Sequence, residues 1–134
     1  PVTSRLALAA ILVRDYDEAI AFYTGALGFE LREDTDLGGG KRWVVVAPPG
    51  SGPTDAGILL ARAGNEQQTD RVGDQTGGRV GFFRHTTDFA GDHEQMTAAG
   101  VRFVEGPRTE AYGTVGVFED LYGNRWDLIE RADG

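Results

Sequence analysis

The stretch Phe82-Phe83-Arg84-His85-Thr86-Thr87-Asp88-Phe89 runs from an apolar segment into an aspartate, and a helical pattern follows it as far as Gly100. The same phrase stands earlier in the chain. Ile11-Leu12-Val13-Arg14-Asp15-Tyr16 leads into a helical pattern that stops at Gly28. The two aspartates lie 73 positions apart and the two closing glycines 72 apart. Both glycines open onto further alternating stretches. A period this long, present twice, predicts two copies of one supersecondary unit.

Working outward, Leu6 to Val13 reads as a buried strand. Asp15 caps the helix after it, with Asp17 and Glu18 in the first turn, where carboxylates suit the helix dipole. Phe29 to Glu33 alternates as a strand, residues 34–40 read as a hairpin loop, and 42–47 and 57–61 as two more strands. Gly64 to Gly78 is polar and long for a bare loop, so a short helix or a functional cover is expected there. The order then repeats: a strand over 80–86, a helix capped by Asp88, and strands over 101–105, 114–119 and 125–130. The reading is α+β, a single domain over residues 1–134. It divides into a βαβββ module over 5–63, a connecting segment over 64–78 and a second βαβββ module over 79–131. Two four-stranded mixed sheets are expected to form a cleft.

The chain has 134 residues and a net charge of −8. That balance argues against nucleic acid and anionic membranes as partners, since both need a clustered basic face. Cysteine is absent, so there are no disulfides or thiolate metal sites. No apolar run is long enough to span a bilayer and no charged-then-apolar leader opens the chain, so the cytoplasm is the expected location. Three short motifs fail. Gly38-Gly39-Gly40-Lys41 lacks both the leading glycine and the hydroxyl of a phosphate loop, and Val45 stands where a calcium loop needs its glutamate. Thr97 replaces the second histidine of a zinc-protease helix, leaving His93 as an expected exposed helix residue.

The repeat, together with Asp120-Leu121-Tyr122-Gly123-Asn124, resembles the vicinal oxygen chelate superfamily of glyoxalases, extradiol dioxygenases, and fosfomycin and bleomycin resistance proteins. Val13 to Tyr23 with Leu27-Gly28-Phe29, and Ala98 to Phe103, carry the rest of the likeness, which spans nearly the whole chain. The resemblance implies a homodimer and four metal-ligand positions on inner strand faces. These fall on Leu8, on the apolar strand Ile58-Leu59-Leu60, on Gly81 and on Asp127. Three of the four offer no donor, so the shared metal site is expected to be lost and no cofactor is implied. A rearranged site with His85 beside Asp127 is the alternative.

If Gly81 faces inward, Phe83 and His85 share its face, because strand side chains alternate. Gly81 would then open volume, Leu8 and Phe83 would supply walls, and His85 and Asp127 could meet as a general acid–base pair. Alternatively His85 lies in solvent and Asp127 ties down Arg125 or Arg79. Trp43 and Tyr112 could stack on a flat ligand, Gln75 could bond it from a lid, and Trp126 is expected in the core. The expected function is a glyoxalase-like protein binding a small apolar or aromatic molecule, with lyase or isomerase chemistry open. A sequestering protein of the bleomycin-resistance kind is the first alternative, and a metal-dependent lactoylglutathione lyase or dioxygenase the second.

Overall fold

The computed structural model describes residues 1–133 and resolves into two compact units, Pro1–Val72 and a second that begins at Gly73. The first holds β1 (Leu8–Val13), α1 (Tyr16–Ala21), β2 (Glu30–Gly38), β3 (Lys41–Ala47), β4 (Gly57–Arg62) and α2 (Glu66–Arg71). The second holds β5 (Val80–His85), α3 (Phe89–Ala98), β6 (Arg102–Glu110), β7 (Gly113–Glu119) and β8 (Arg125–Arg131). Each unit builds one four-stranded mixed sheet, in the orders β1-β4-β3-β2 and β5-β8-β7-β6. In both, the strand before the long helix pairs in parallel with the last strand, and the other pairings are antiparallel.

The local chemistry of the repeat accounts for this. Asp15 accepts from the Glu18 amide at 2.8 Å and Asp88 from the Gly91 amide at 3.0 Å, so both helices start on a capping carboxylate. α1 runs on into a π-helical turn, Phe22–Ala26, closed by the Leu27 amide donating to the Phe22 carbonyl at 3.2 Å. One face of each sheet buries its alternate residues against its helix. In the first, Ile11, Val13, Val44, Val46 and Leu60 pack with Ala19, Tyr23 and Leu27. In the second, Phe118, Trp126 and Leu128 meet Phe89 and Met96, with Trp126 stacked between Phe82 and Phe118 at centroid distances of 5.0 and 5.9 Å. Burying a large apolar side chain contributes about 1.5–3 kcal/mol, so these few positions account for much of each core.

Two elements run longer than their sequence suggests. Residues 34–38, expected in a loop, extend β2, because Thr35 and Asp36 pair with Trp43 and Arg42. The Arg42 guanidinium also grips the Asp34 carboxylate at 2.7 and 3.1 Å. β6 likewise continues past Pro107, where Arg108 and Thr109 pair with Val115 and Thr114. The polar connection contains the short helix α2, capped by Asn65, which accepts from the Gln68 amide at 2.8 Å.

A candidate binding pocket between parted strands

The two sheets differ in one pairing. β7 and β8 pair from Gly113↔Arg131 through Glu119↔Arg125 without a break. β3 and β4 pair only at Val45↔Leu59 and Val46↔Ile58, so toward Lys41 and Arg62 the ladder is not continued and a gap in the pairing is left. β4 stays fixed to β1 over its whole length, up to Leu12↔Ala61 and Val13↔Arg62. The gap is therefore bounded by the start of β3 on one side and the end of β4 on the other. Backbone groups left by a missing ladder need other partners. The Arg42 amide finds one in the Tyr16 hydroxyl, to which it donates at 3.1 Å.

A pocket of about 460 Å³ occupies this gap, within the range of small-molecule sites. Lys41, Arg42 and Trp43 line it from β3, Leu59 to Arg62 from β4, and Leu12, Tyr16 and Gln68 complete the wall. Trp43 is 37% exposed. It also borders a second hollow of about 250 Å³, shared with Leu8, Arg32, Val45 and Gly57. Arg32 donates to the carbonyls of Ser51, Gly52 and Asp55 at 2.9, 2.7 and 3.3 Å, pinning the loop beside that hollow. A planar indole between two concavities on an apolar sheet face is an arrangement suited to stacking on a flat ring.

Of the residues singled out from the sequence, Leu8 and Trp43 are thus brought together. The others stand in the second unit. Phe83 is 61% exposed and pairs with Asp127, while His85 pairs with Ile129. His85 and Asp127 share a sheet face but are two residues out of register on neighbouring strands, and no hydrogen bond or ion pair joins them. Asp127 makes no ion pair with Arg125 or Arg79 either. Partial burial raises the Asp127 pKa above its ordinary 3.8; nearby Arg108 opposes the shift and Glu105 adds to it. Gly81 does not open a void, since a Cβ there would run into the side chain of Thr76. Gln75 is half-buried in the turn segment before β5. Tyr112 is 48% exposed at the β6–β7 turn, and Arg108 close by pairs with Glu110 at 2.9 Å. His93 is half-buried rather than exposed, with its ring 5.7 Å from Phe89 and 4.4 Å from Phe103.

The side chains present do not fit the superfamily's cation. Leu8, the β4 residues Ile58 to Leu60 and Gly81 carry no donor, and one carboxylate does not hold a divalent ion. Among the described residues no three His, Cys, Asp or Glu side chains are grouped to bind a metal. Sequence reasoning missed Tyr16, Lys41 and Arg62 as pocket residues. The repeat itself held the signal, because the positions matching Tyr16, Lys41 and Trp43 are Phe89, Gly113 and Val115.

The chain belongs to the Glyoxalase/Bleomycin resistance protein/Dioxygenase superfamily, whose model matches residues 5–128. An uncharacterised protein of Shewanella frigidimarina (strain NCIMB 400) is 52% identical over 125 residues, covering 92% of this chain and 91% of that one. The crystal structure of UcmS2 superposes with a TM-score of 0.80 at 33% identity, covering 96% and 98% of the two chains. TnmS3, an antibiotic-binding protein from Streptomyces sp. CB03234, gives a TM-score of 0.79 at 27% identity, covering 98% and 99%. No helix among the described residues is long and apolar enough to cross a membrane.

Proposed function

We propose that this protein binds a flat aromatic small molecule in the gap between β3 and β4, stacked on Trp43, and holds it without converting it. The carrying observation is the exposed indole at the mouth of a pocket opened by two parted strands. The likeness to TnmS3 supports a binding role. Sequestration is favoured over lyase or isomerase chemistry because His85 and Asp127, the titratable pair suggested by the sequence, are not joined and do not line this pocket. The working unit in this proposal is a cytoplasmic homodimer; Leu6 and Phe83 supply large exposed apolar groups for a second copy to cover.

The test uses naphthalene carboxamide as a neutral flat probe, titrated while tryptophan emission is followed. Trp43 is exposed and Trp126 buried, so quenching reports the pocket. Trp43→Ala, which lacks the reporter and is therefore titrated by calorimetry alongside the wild type, is expected to weaken binding by about tenfold or more, the loss of roughly 1.4 kcal/mol of stacking and apolar contact, with thermal stability nearly unchanged. Undiminished affinity in Trp43→Ala would remove the proposal's basis.

A further inference from the structure

The pocket's charge points to a narrower class of ligand. The chain carries a net charge of −8, yet the rim of this gap is lined by three cations, Lys41, Arg42 and Arg62. Arg42 is engaged, at 2.9 Å from Asp17 and 2.7 Å from Asp34. Lys41 and Arg62 belong to none of the ion pairs among the described residues. Arg62 is nevertheless held in place. Its guanidinium carbon sits 5.3 Å from the centroid of the Tyr16 ring, which the Arg42 guanidinium also contacts at 5.2 Å. Tyr16 is in turn anchored by the Arg42 amide. Gly40 keeps the β2–β3 hairpin clear of it, since a Cβ there would lie 3.2 Å from Arg62 Nη2. A guanidinium stacked on a ring is positioned and weakly hydrated, with its N–H edges still able to donate.

Building on the aromatic-binding reading above, we infer that the ligand of this pocket is an aromatic anion. Its ring lies on Trp43, and its carboxylate or a like group is met by Arg62 with Lys41 beside it. Leu12, Leu59 and Ala61 supply the apolar wall under the ring, and the two cations stand at the strand ends where the gap opens. A charged acceptor makes stronger bonds to a fixed guanidinium than a neutral one does, so the preference falls on the anion and not on rings in general.

The experiment compares naphthalene carboxylate with naphthalene carboxamide, which share shape and differ in charge. The wild-type protein is expected to prefer the carboxylate by about tenfold at low salt, with the preference shrinking as salt is added. Arg62→Gln should erase most of that preference, weakening the carboxylate far more than the carboxamide. Lys41→Gln should do so to a smaller extent. Equal affinity of the wild type for both probes overturns this inference and leaves the stacking proposal standing. A preference that survives in the Arg62→Gln, Lys41→Gln double variant overturns it also. Binding of neither probe sinks both readings together.

Discussion

The first and second modules share strand order, helix caps and repeat spacing, yet one sheet is zipped and the other parted. Lys41 stands where the second module has Gly113, Trp43 where it has Val115, and Tyr16 where it has Phe89. In the second module β8 closes onto β7 along its whole length, and Val115 is buried. Thr114 pairs with Glu130 in that ladder, and Phe89 beneath it has no hydroxyl to offer. In the first module the matching amide, that of Arg42, is taken by Tyr16 instead. One copy of the unit therefore keeps this ladder whole. The other exchanges part of a ladder for a pocket, and a handful of side chains makes the difference.

The largest effect is expected where the zipped sheet depends on a missing side chain. A Cβ at Gly113 would collide with the Glu130 carbonyl oxygen, so β8 could not keep its approach. Gly113→Lys should destabilise the protein by about 3 kcal/mol or more, since overpacking against backbone has no flexible partner to yield. The reciprocal Lys41→Gly, at the parted strand, should cost no more than about 1 kcal/mol of backbone entropy. Urea unfolding midpoints would measure both. If the two substitutions cost the same, the contrast between the modules has been drawn wrongly.

A smaller loss is expected from Tyr16→Phe, which makes the first module copy the second at this position. The Arg42 amide would lose its acceptor without gaining a strand partner, at a cost of about 1–2 kcal/mol. Phe89→Tyr, the reverse exchange, adds a hydroxyl beside a ladder already satisfied and should shift stability by only about 0.5 kcal/mol. Amide exchange at Arg42 gives an independent readout, with protection falling in Tyr16→Phe alone. Unchanged protection would show that solvent already serves that amide.

How much of this could be read from the sequence follows from what each feature depends on. The fold was legible because capping aspartates, closing glycines and alternating stretches are local signals, and they occur twice. Superfamily membership was carried by the same segments. Trp43 could be nominated because residue type is local as well, and Leu8 because the superfamily resemblance implies a ligand position there. The gap that gives Trp43 its pocket was not legible, because it depends on where β3 stops pairing with a strand beyond a nine-residue loop, residues 48–56. Lys41, Arg62 and Tyr16 matter only once that gap exists. The expected contact between His85 and Asp127 failed for a related reason: alternation gave the shared face but not the two-residue offset between strands. The space beside Gly81 is filled by the Thr76 side chain, which strand alternation cannot foretell because it comes from a turn with no periodic pattern.

The last comparison is between equivalent rows of the two sheets, and its effect is the smallest. Ala10, Leu59, Val45 and Glu33 lie in register in the first, and Phe83, Asp127, Val117 and Glu105 in the second. Leu59 is indifferent to pH, but Asp127 is not. Its folded pKa is raised by partial burial, against the opposing field of Arg108 and with the help of Glu105. A carboxyl with a raised folded pKa binds its proton more tightly in the native state than in the unfolded one. Its ionisation therefore subtracts stability as pH climbs from 3.8 through the higher folded value. Asp127→Asn should remove that slope and leave the melting temperature at neutral pH equal to, or a few degrees above, that of the wild type. Binding of naphthalene carboxamide should be unaffected, since Asp127 does not line the gap. A variant that melts lower at neutral pH would show that the ionised carboxylate has a stabilising partner. Lost binding would move the site from the parted sheet to the zipped one.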